Sequence, residues 1–383
     1  MKFTNCVTLV GSKPKRYEGT KRYVSTGALA VDHIDEESVE LVGYEDRPSR
    51  ADLTAESGDV LFAKMADTKK TILLDKETAE NIYSTGFFAV RAKQGMITAE
   101  CLYYLLTSDV FLRQKNKHSS GATQRAITNK GLEAIAISIP NLDEQTRLVA
   151  KLAALSRVIK SREQQLVELD NLIKARFVEL FGDPVTNSMG WETKTIKELA
   201  SKIGSGATPK GGRESYGTEG ISLIRSMNVY NGRFEHKDLA HISDEQAEKL
   251  DNVTIEKDDV LLNITGASVA RCCVVPEDVI PARVNQHVCI IRCKDWISPE
   301  FMCNVLTDGN YQKHLWRIAG SGATREAITK QQVEMLSIIM PPTELQQQFS
   351  DFCRQVDKSK VVVQKALEEA QLLFDSLMQE YFG

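Results

Sequence analysis

The chain has 383 residues, of which 42% are hydrophobic and 26% charged, and its net charge is −4. This composition excludes a disordered or fibrous chain, and the length allows two or three domains. The opening residues, MKFTNCVTLV, lack the apolar run of a signal peptide. No stretch approaches the roughly 20 apolar residues of a membrane-spanning helix, so a cytoplasmic protein is expected. The eight cysteines include the adjacent Cys272 and Cys273 and the pair Cys289 and Cys293, but no CxxC. Reduced thiols and no metal site are expected. A negative net charge argues weakly against nucleic-acid binding, because DNA binders gain affinity by neutralising phosphates; what decides is whether cations gather locally.

In chain order, short β-branched and aromatic runs at residues 21–29, 59–63 and 87–90 predict strands separated by turns. Residues 100–115 read as a helix, and residues 135–139 as a strand after the turn SSGATQRAIT. Pro140 then ends that strand, and Asp143-Glu144 favour a helix start. From there Leu148, Leu152, Leu155, Ile159, Arg162, Leu166, Leu169, Ile173, Arg176 and Leu180 recur at spacings of three and four, a heptad seam. A second set of elements follows: strands at 221–224, 260–264 and 288–291, a helix at 299–315, the turn GSGATREAIT and a strand at 336–339. A second seam then runs through Phe349, Cys353, Val356, Lys360, Val363, Leu367, Ala370, Phe374, Leu377 and Tyr381.

The two sets are one plan used twice. Residues 119–182 align without gaps on 320–383, from Gly121-Ala122-Thr123 on Gly322-Ala323-Thr324 to Phe181-Gly182 on Phe382-Gly383. Upstream, Asp59-Val60-Leu61 corresponds to Asp259-Val260-Leu261, and Arg91 to Arg292. The expected architecture is therefore α/β (α+β). Mixed domains at 1–142 and 183–342 are each followed by a helical region, at 143–182 and 343–383. The two helices form an antiparallel intramolecular coiled coil with pseudo-twofold symmetry. Each helix of about 38 residues would span roughly 57 Å.

Two globules joined by stiff rods make a caliper, suited to touching an extended target at two places. On DNA, a fixed separation becomes a count of base pairs. Local charge fits that use. Residues 202–233 carry Lys202, Lys210, Arg213, Arg225 and Arg233 against Glu214 and Glu219, and include the glycine-rich GSGATPKGGRESYG. In the first copy Lys64, Lys69 and Lys70 form one cluster, and Arg113, Lys115, Lys117 and His118 another. Both copies place cations before and within the Ser-Gly-Ala-Thr turn: Arg113 and Arg125 in one, Lys313 and Arg325 in the other. Thr123, Gln124 and Thr324 add phosphate-positioning groups to that turn. A solvated face, or a turn that only shapes the entry to the next strand, is the alternative reading of these segments. Base edges are read by Arg, Asn and Gln. The candidates for this in the second copy are Arg225, Asn228, Asn263, Arg271, Arg283, Asn285 and Gln286, and in the first Lys64, Lys69, Lys70 and Gln124.

The order of WETKTIKELASKIGSGATP, SLIRSMNVYNGRF, DDVLLNITG, the duplicated SGATxxAIT and the long helix after Pro140 or Pro341 resembles the specificity subunits of type I restriction–modification enzymes. The resemblance implies two target recognition domains, each reading half of a bipartite, asymmetric DNA site. It also implies helices that set the spacer and dock two methyltransferase subunits, and motor–nuclease subunits that join to cut. S-adenosylmethionine, ATP and Mg²⁺ would belong to those partners, and this chain would be non-catalytic with no cofactor. Read directly, the sequence has no D/N-P-P-Y/F, GxGxxG or Walker motif. A stand-alone DNA-binding protein, or a subunit without its partners, is the alternative. The first copy departs from the pattern: it lacks the Trp-containing lead, and its KMADTKKT differs from NITGASVAR.

Overall fold

The computed structural model describes residues 1–209, 212, 216–320 and 326–383. The chain divides into two compact units, residues 1–163 with 364–383, and residues 164–363. Unit 1 runs α1 (Phe3–Cys6), β1 (Val7–Val10), β2 (Thr20–Val24), β3 (Glu40–Gly43), β4 (Ala51–Leu53), β5 (Val60–Ala63), β6 (Thr71–Leu73), β7 (Ile82–Ser84), β8 (Phe87–Ala92), α2 (Ala99–Thr107), α3 (Asp109–Lys117), β9 (Ser119–Ser120), β10 (Ala126–Ile127), α4 (Asn129–Ala134) and the first half of α5 (Leu142–Phe181). Its strands form two four-stranded sheets, ordered β1-β8-β5-β6 and β3-β2-β7-β4, and a small hairpin, β9-β10.

Unit 2 takes the rest of α5, then β11 (Glu192–Thr195), α6 (Ile196–Leu199), β12 (Ala200–Ser205), β13 (Ile221–Ile224), β14 (Val229–Tyr230), β15 (Arg233–Phe234), β16 (Ala240–Ile242), α7 (Asp244–Glu248), β17 (Val260–Asn263), β18 (Cys272–Val274), β19 (Ala282–Val284), β20 (Val288–Cys293), α8 (Pro299–Thr307), α9 (Gly309–Gly320), α10 (Lys330–Glu334), β21 (Ser337–Met340) and the first half of α11 (Thr343–Phe382). Its sheet β12-β20-β17-β18 repeats β1-β8-β5-β6 of unit 1. The central strands β5 and β17 are buried along their whole length, which is why they read as unbroken apolar runs.

The long helices pair antiparallel. In unit 1, Leu148 and Leu152 of α5 share a core with Phe374, Leu377 and Phe382 from the end of α11. In unit 2, Ile173, Phe177 and Phe181 from the end of α5 share one with Phe349 and Cys353 from the start of α11. Every position of both expected seams is buried or half-buried. Polar members are accommodated: Lys360 on α11 pairs with Asp170 on α5 at 2.6 Å. Burial pushes the Lys360 ammonium down, but hydrogen bonding and charge from Asp170 and Asp357 outweigh it and leave its pKa raised.

Two expectations differ from the structure. Residues 100–115 and 299–315 are each two helices, because Ser108 and Asp308 restart the chain. The Ser108 hydroxyl accepts from Phe111 N at 3.1 Å, and the Asp308 carboxylate accepts from Tyr311 N at 3.1 Å. Residues 135–139 make only a bridge between Lys2 and Ala136. The counterpart β21 is a full strand because β11, from the Trp-containing lead, pairs with it over four residues.

Each central sheet is closed by an ion pair between a buried aspartate and a partly exposed arginine. Asp59 is 1% exposed and Asp259 is 0% exposed. Arg91 Nε donates to Asp59 at 2.6 Å, and Arg292 Nε to Asp259 at 2.8 Å. The second carboxylate oxygen accepts from the Glu56 and Glu256 backbone N–H, at 2.8 Å in both copies. Burying such a charge is tolerable only with this full set of partners. Asp259→Ala is expected to destabilise unit 2 by about 1–3 kcal/mol, because the Glu256 N–H and two donors of Arg292 lose a buried acceptor while Arg292 keeps Glu256 and Thr254 O. Replacing the pair together, with Asp259→Leu and Arg292→Met, should recover most of the loss. Urea unfolding measures both; a single-variant loss below about 1 kcal/mol, the scale of a surface substitution, would show the pair to be dispensable.

Candidate nucleic-acid interface

The duplicated Ala-Ile-Thr after the Ser-Gly-Ala-Thr turn has a structural task in both copies. Ala126 bridges Met65, and Ala327 bridges Thr265. Ile127 and Ile328 are each 2% exposed. Thr128 and Thr329 cap α4 and α10, accepting from Gly131 N and Gln332 N. Through this anchor, Ala66 N donates to Arg125 O at 2.9 Å and Gly266 N donates to Glu326 O at 2.9 Å. In each unit the segment that follows the turn is therefore tied to the loop that leaves the central strand, and that loop carries several of the candidate contact residues.

In unit 1 this loop gathers Lys64, Lys69, Lys70, Gln124 and Arg125. Lys64 Nζ donates to Thr85 O at 2.7 Å and lies 4.5 Å from the Phe88 ring centre; burial lowers its pKa. Lys70 Nζ donates to Thr26 O at 2.8 Å, and Lys69 pairs with Asp109 at 2.8 Å. Gln124 Nε2 donates to Met65 Sδ at 2.9 Å, and Arg125 to Asn116 O. Thr123, Gln124 and Arg125 are exposed. Arg113 and Lys117 are exposed one turn apart on α3. Lys64 and Lys70 satisfy backbone carbonyls rather than carboxylates, so their charge is left uncompensated and available to an anion.

Lys115 also donates to backbone carbonyls, to Ala63 O at 3.2 Å and to Thr68 O, but at 3% exposed it is closed to an anion. It is the seventh residue of α3, where α9 has the fully buried Leu315. The lysine therefore holds the loop from the inside of the core.

In unit 2 a cavity of about 470 Å³ opens at the equivalent loop, with Ser226, Tyr230, Thr265, Ser268, Arg271 and His287 among its lining. Arg271 lies 4.5 Å from the Tyr230 ring centre, and Arg233 lies 5.1 Å from the same ring. Thr265 Oγ1 and His287 Nδ1 share a hydrogen bond, and Gln286 Nε2 lies 3.1 Å from His287 Nε2. Gln286 is exposed and also bonds Thr208. Lys313 is exposed on α9, 3.5 Å from Asn310.

Four expected base readers are turned inward. Asn228 is 0% exposed: its side chain accepts from Arg225 N and donates to Glu235 O and Lys237 O. Asn263 is buried and donates to Ser226 O at 2.8 Å. Arg283 is spent on Asp251 at 2.7 Å and on the carbonyls of Ala247 and Ala282. Asn285 is buried and accepts from His287 N at 3.0 Å. The donors of Asn228, Asn263 and Arg283 and the Asn285 carbonyl are spent within the fold, although Asn263 Oδ1 has no partner among the described residues. Arg225 is intermediate: it donates to Asp238 O and lies 5.4 Å from the Tyr216 ring centre. Lys210, Arg213, Thr324 and Arg325 lie outside the described residues. Tyr230 and His287 were not expected from sequence. The Asn231-Gly232 turn, with Gly232 at φ 67°, was the signal for Tyr230, because the hairpin it makes sets Tyr230 opposite Arg233. Among the described residues no cluster suited to a metal ion occurs, and no helix is long and apolar enough to cross a membrane.

The model of the type I restriction modification DNA specificity domain matches residues 13–171 and again 189–371. The chain belongs to this family. It is 24% identical to the EcoBI specificity subunit of Escherichia coli over 217 residues, half of this chain and 44% of that subunit's length. It is 21% identical to the putative MjaX specificity subunit of Methanocaldococcus jannaschii over 341 residues, 82% of this chain and 75% of that one. The fold is that of the type I S subunit from M. genitalium, with TM-score 0.61 and 14% identity, covering 100% of this chain and 95% of that one. A chain from a structure on complex assembly of the type I R-M system gives TM-score 0.58 at 21% identity, covering 100% of this chain and 96% of that one.

The Lys115 site generates a pH test. Burial lowers its pKa from the usual 10.5 to about 8, with Asp67 opposing. Between those values the folded protein has released the proton and the unfolded chain still holds it, so unfolding free energy rises with pH across that window. Below about pH 8 the cost of the buried charge is fully present. Lys115→Met removes this dependence. The stability difference should therefore move toward the wild type from pH 8 to 10.5, by an amount on the order of 2–3 kcal/mol. Urea midpoints at the two ends of the window report it; parallel profiles would mean that the ammonium is not held as described.

Proposed function

We propose that the chain is the sequence-reading subunit of a type I restriction–modification complex. Unit 1 binds one half of an asymmetric bipartite target in duplex DNA, and unit 2 binds the other. The observation that carries this reading is the duplicated unit with two differently built loops at equivalent places. One is lined by uncompensated lysines, the other by arginines stacked on a tyrosine. Identical frames with unlike contact groups suit two unlike half-sites. Lysines without carboxylate partners supply phosphate attraction, which is independent of sequence and sensitive to salt. Unit 1 would use Lys64 and Lys70 in this way, with Lys69, which must exchange Asp109 for a phosphate, and with Arg113, Lys117, Thr123, Gln124 and Arg125 as further phosphate-positioning groups. In unit 2, Gln286 and Lys313 belong to the same surface class.

The two 40-residue helices, each about 60 Å by helical rise, would set the unread gap. They would also carry the docking surfaces for two methyltransferase subunits. Val361 and Val362 are each 70% exposed and Leu372 67% exposed on α11, and Val167 is 52% exposed on α5; this is apolar area away from the seam, as a docking face requires. Adenine methylation with S-adenosylmethionine, and ATP- and Mg²⁺-dependent cleavage, would be the work of those subunits and of the motor–nuclease subunits. This chain supplies the address, in the cytoplasm where the DNA lies.

Methylome sequencing of the host tests the reading: a bipartite adenine-methylated motif should disappear when this gene is deleted. The gap tests the helices. A heptad inserted between Arg162 and Leu166, with another between Val363 and Leu367, falls at the boundary of the two units and keeps the seams in phase. It adds about 10 Å of rise, or about three base pairs. The half-site sequences should persist and the gap should lengthen accordingly. An active variant with the original gap would show that the helices are not the ruler.

A further inference from the structure

We infer that Arg271 is a specificity-determining residue of unit 2 and that it takes the edge of a guanine in duplex DNA, held for that task by Tyr230. The inference rests on the reading of the chain as a DNA specificity subunit and names the base that one of its sites accepts. Among the described cations of unit 2, Arg283 is bound to Asp251, Arg292 to Asp259 and Glu256, and Arg354 to Asp351 and Glu300. Arg271 lines the cavity with no carboxylate against it, and its contact is the Tyr230 ring at 4.5 Å. Among the described residues none of its five N–H donors has a hydrogen-bond acceptor. Stacking on a ring keeps the guanidinium fork flat and restricts its rotamers before any ligand arrives.

The backbone beneath Arg271 is pinned. Asn263 N donates to Arg271 O at 2.8 Å, Ala270 N donates to Asn263 O at 2.8 Å, and Gln312 Nε2 donates to Ala270 O at 2.7 Å. Tyr230 is pinned as well, because its hairpin is tied to β18 through Gly232 N to Cys272 O at 2.9 Å. Fork and platform therefore sit on rigid elements, as a reading group requires. Access is open: Gly266, at φ 73°, has empty space over its Cα at the rim. Arg233, 5.1 Å from the same ring, is paired with Glu235 at 3.7 Å, which leaves Arg271 as the cation offered to the cavity. An arginine fork, made of donors alone, favours an edge made of acceptors. Guanine presents two of them, O6 and N7, to a bidentate fork. Adenine presents N7 beside an amino donor, which would meet an arginine donor head-on.

A phosphate is the other acceptor an arginine accepts, and the experiment separates the two. The full chain with its methyltransferase subunits is bound to duplexes of its methylome-defined motif, in which each guanine is replaced in turn by 7-deazaguanine. For the wild type, one guanine of one half-site should show about tenfold to hundredfold weaker binding when its N7 is removed. Arg271→Ala should lose that sensitivity, relax selectivity at that position alone and leave the other half-site unchanged. Tyr230→Leu should blunt the discrimination, and Tyr230→Phe should restore it. If no guanine is sensitive in the wild type, the inference is wrong. It is equally wrong if Arg271→Ala weakens all sequences alike and lowers the salt slope by about one, the signature of a phosphate contact. A host without any bipartite motif would overturn the reading of the chain itself.

Discussion

The constraint on which this structure depends is that each unit closes its core with the tail of the other repeat's helix. A 40-residue helix runs about 60 Å, far beyond the globule that precedes it in sequence. Its distant half would carry an exposed apolar seam unless a partner covered it. The partner is the second long helix, which meets it antiparallel and ends in the first globule. Phe382 is 1% exposed in the core of unit 1, and Phe181 is 0% exposed in that of unit 2. Each buried phenylalanine contributes on the order of 2–3 kcal/mol of transfer free energy. Phe181 meets Phe177, Phe301 and Phe349 at centroid separations of 4.8–5.5 Å. Losing the end of α11 would open the core of unit 1, and losing the end of α5 that of unit 2.

The junction of helix and globule is enforced by a second duplicated device. Gln145 and Gln346 stand in the first turns of α5 and α11 and are 0% and 1% exposed. Gln145 accepts from Thr98 N at 2.9 Å and donates to Met96 O and Pro140 O. Gln346 accepts from Ser298 N at 3.0 Å and donates to Pro341 O at 2.9 Å. One amide thus fastens the long helix to the start of α2 or α8 and to the proline that precedes the helix. A buried amide is costly unless its groups are satisfied, and here its oxygen and its nitrogen both have partners.

Much of this was legible in the sequence. Apolar periodicity gave the seams, and unbroken apolar runs gave β5, β17 and β20, because burial on both faces or along one stripe leaves a direct mark on residue type. The helix breaks at Ser108 and Asp308 were not read, since one capping side chain interrupts an otherwise continuous apolar pattern. The candidate site was legible only in part. Lys64, Lys70 and Arg271 stand at the loops after the central strands, as expected. Asn228, Asn263, Asn285 and Arg283 do not: an amide that satisfies a buried turn and an amide that meets a base are the same residue in a sequence. Lys115 and Leu315 show the converse, since a lysine at a core position looks like one more surface cation until its surroundings are known.

Comparison of the two repeats separates frame from contact surface. Six pairs of positions with the same residue in both copies, Asp59 and Asp259, Arg91 and Arg292, Gln145 and Gln346, Ile127 and Ile328, Thr128 and Thr329, Phe181 and Phe382, are spent on ion pairs, caps and core. Where the chain leaves the central strand the residues are unlike: Lys64 and Met65 against Ile264 and Thr265. The bridge from that loop to the segment after the Ser-Gly-Ala-Thr turn is nevertheless kept, by Met65 with Ala126 and by Thr265 with Ala327. Backbone pairing is indifferent to the side chains it carries, so the loop can change its chemistry while its position stays fixed. A duplicated protein that must recognise two unlike targets needs this division, with side-chain identity fixed where it closes the frame and free where only the backbone is bound.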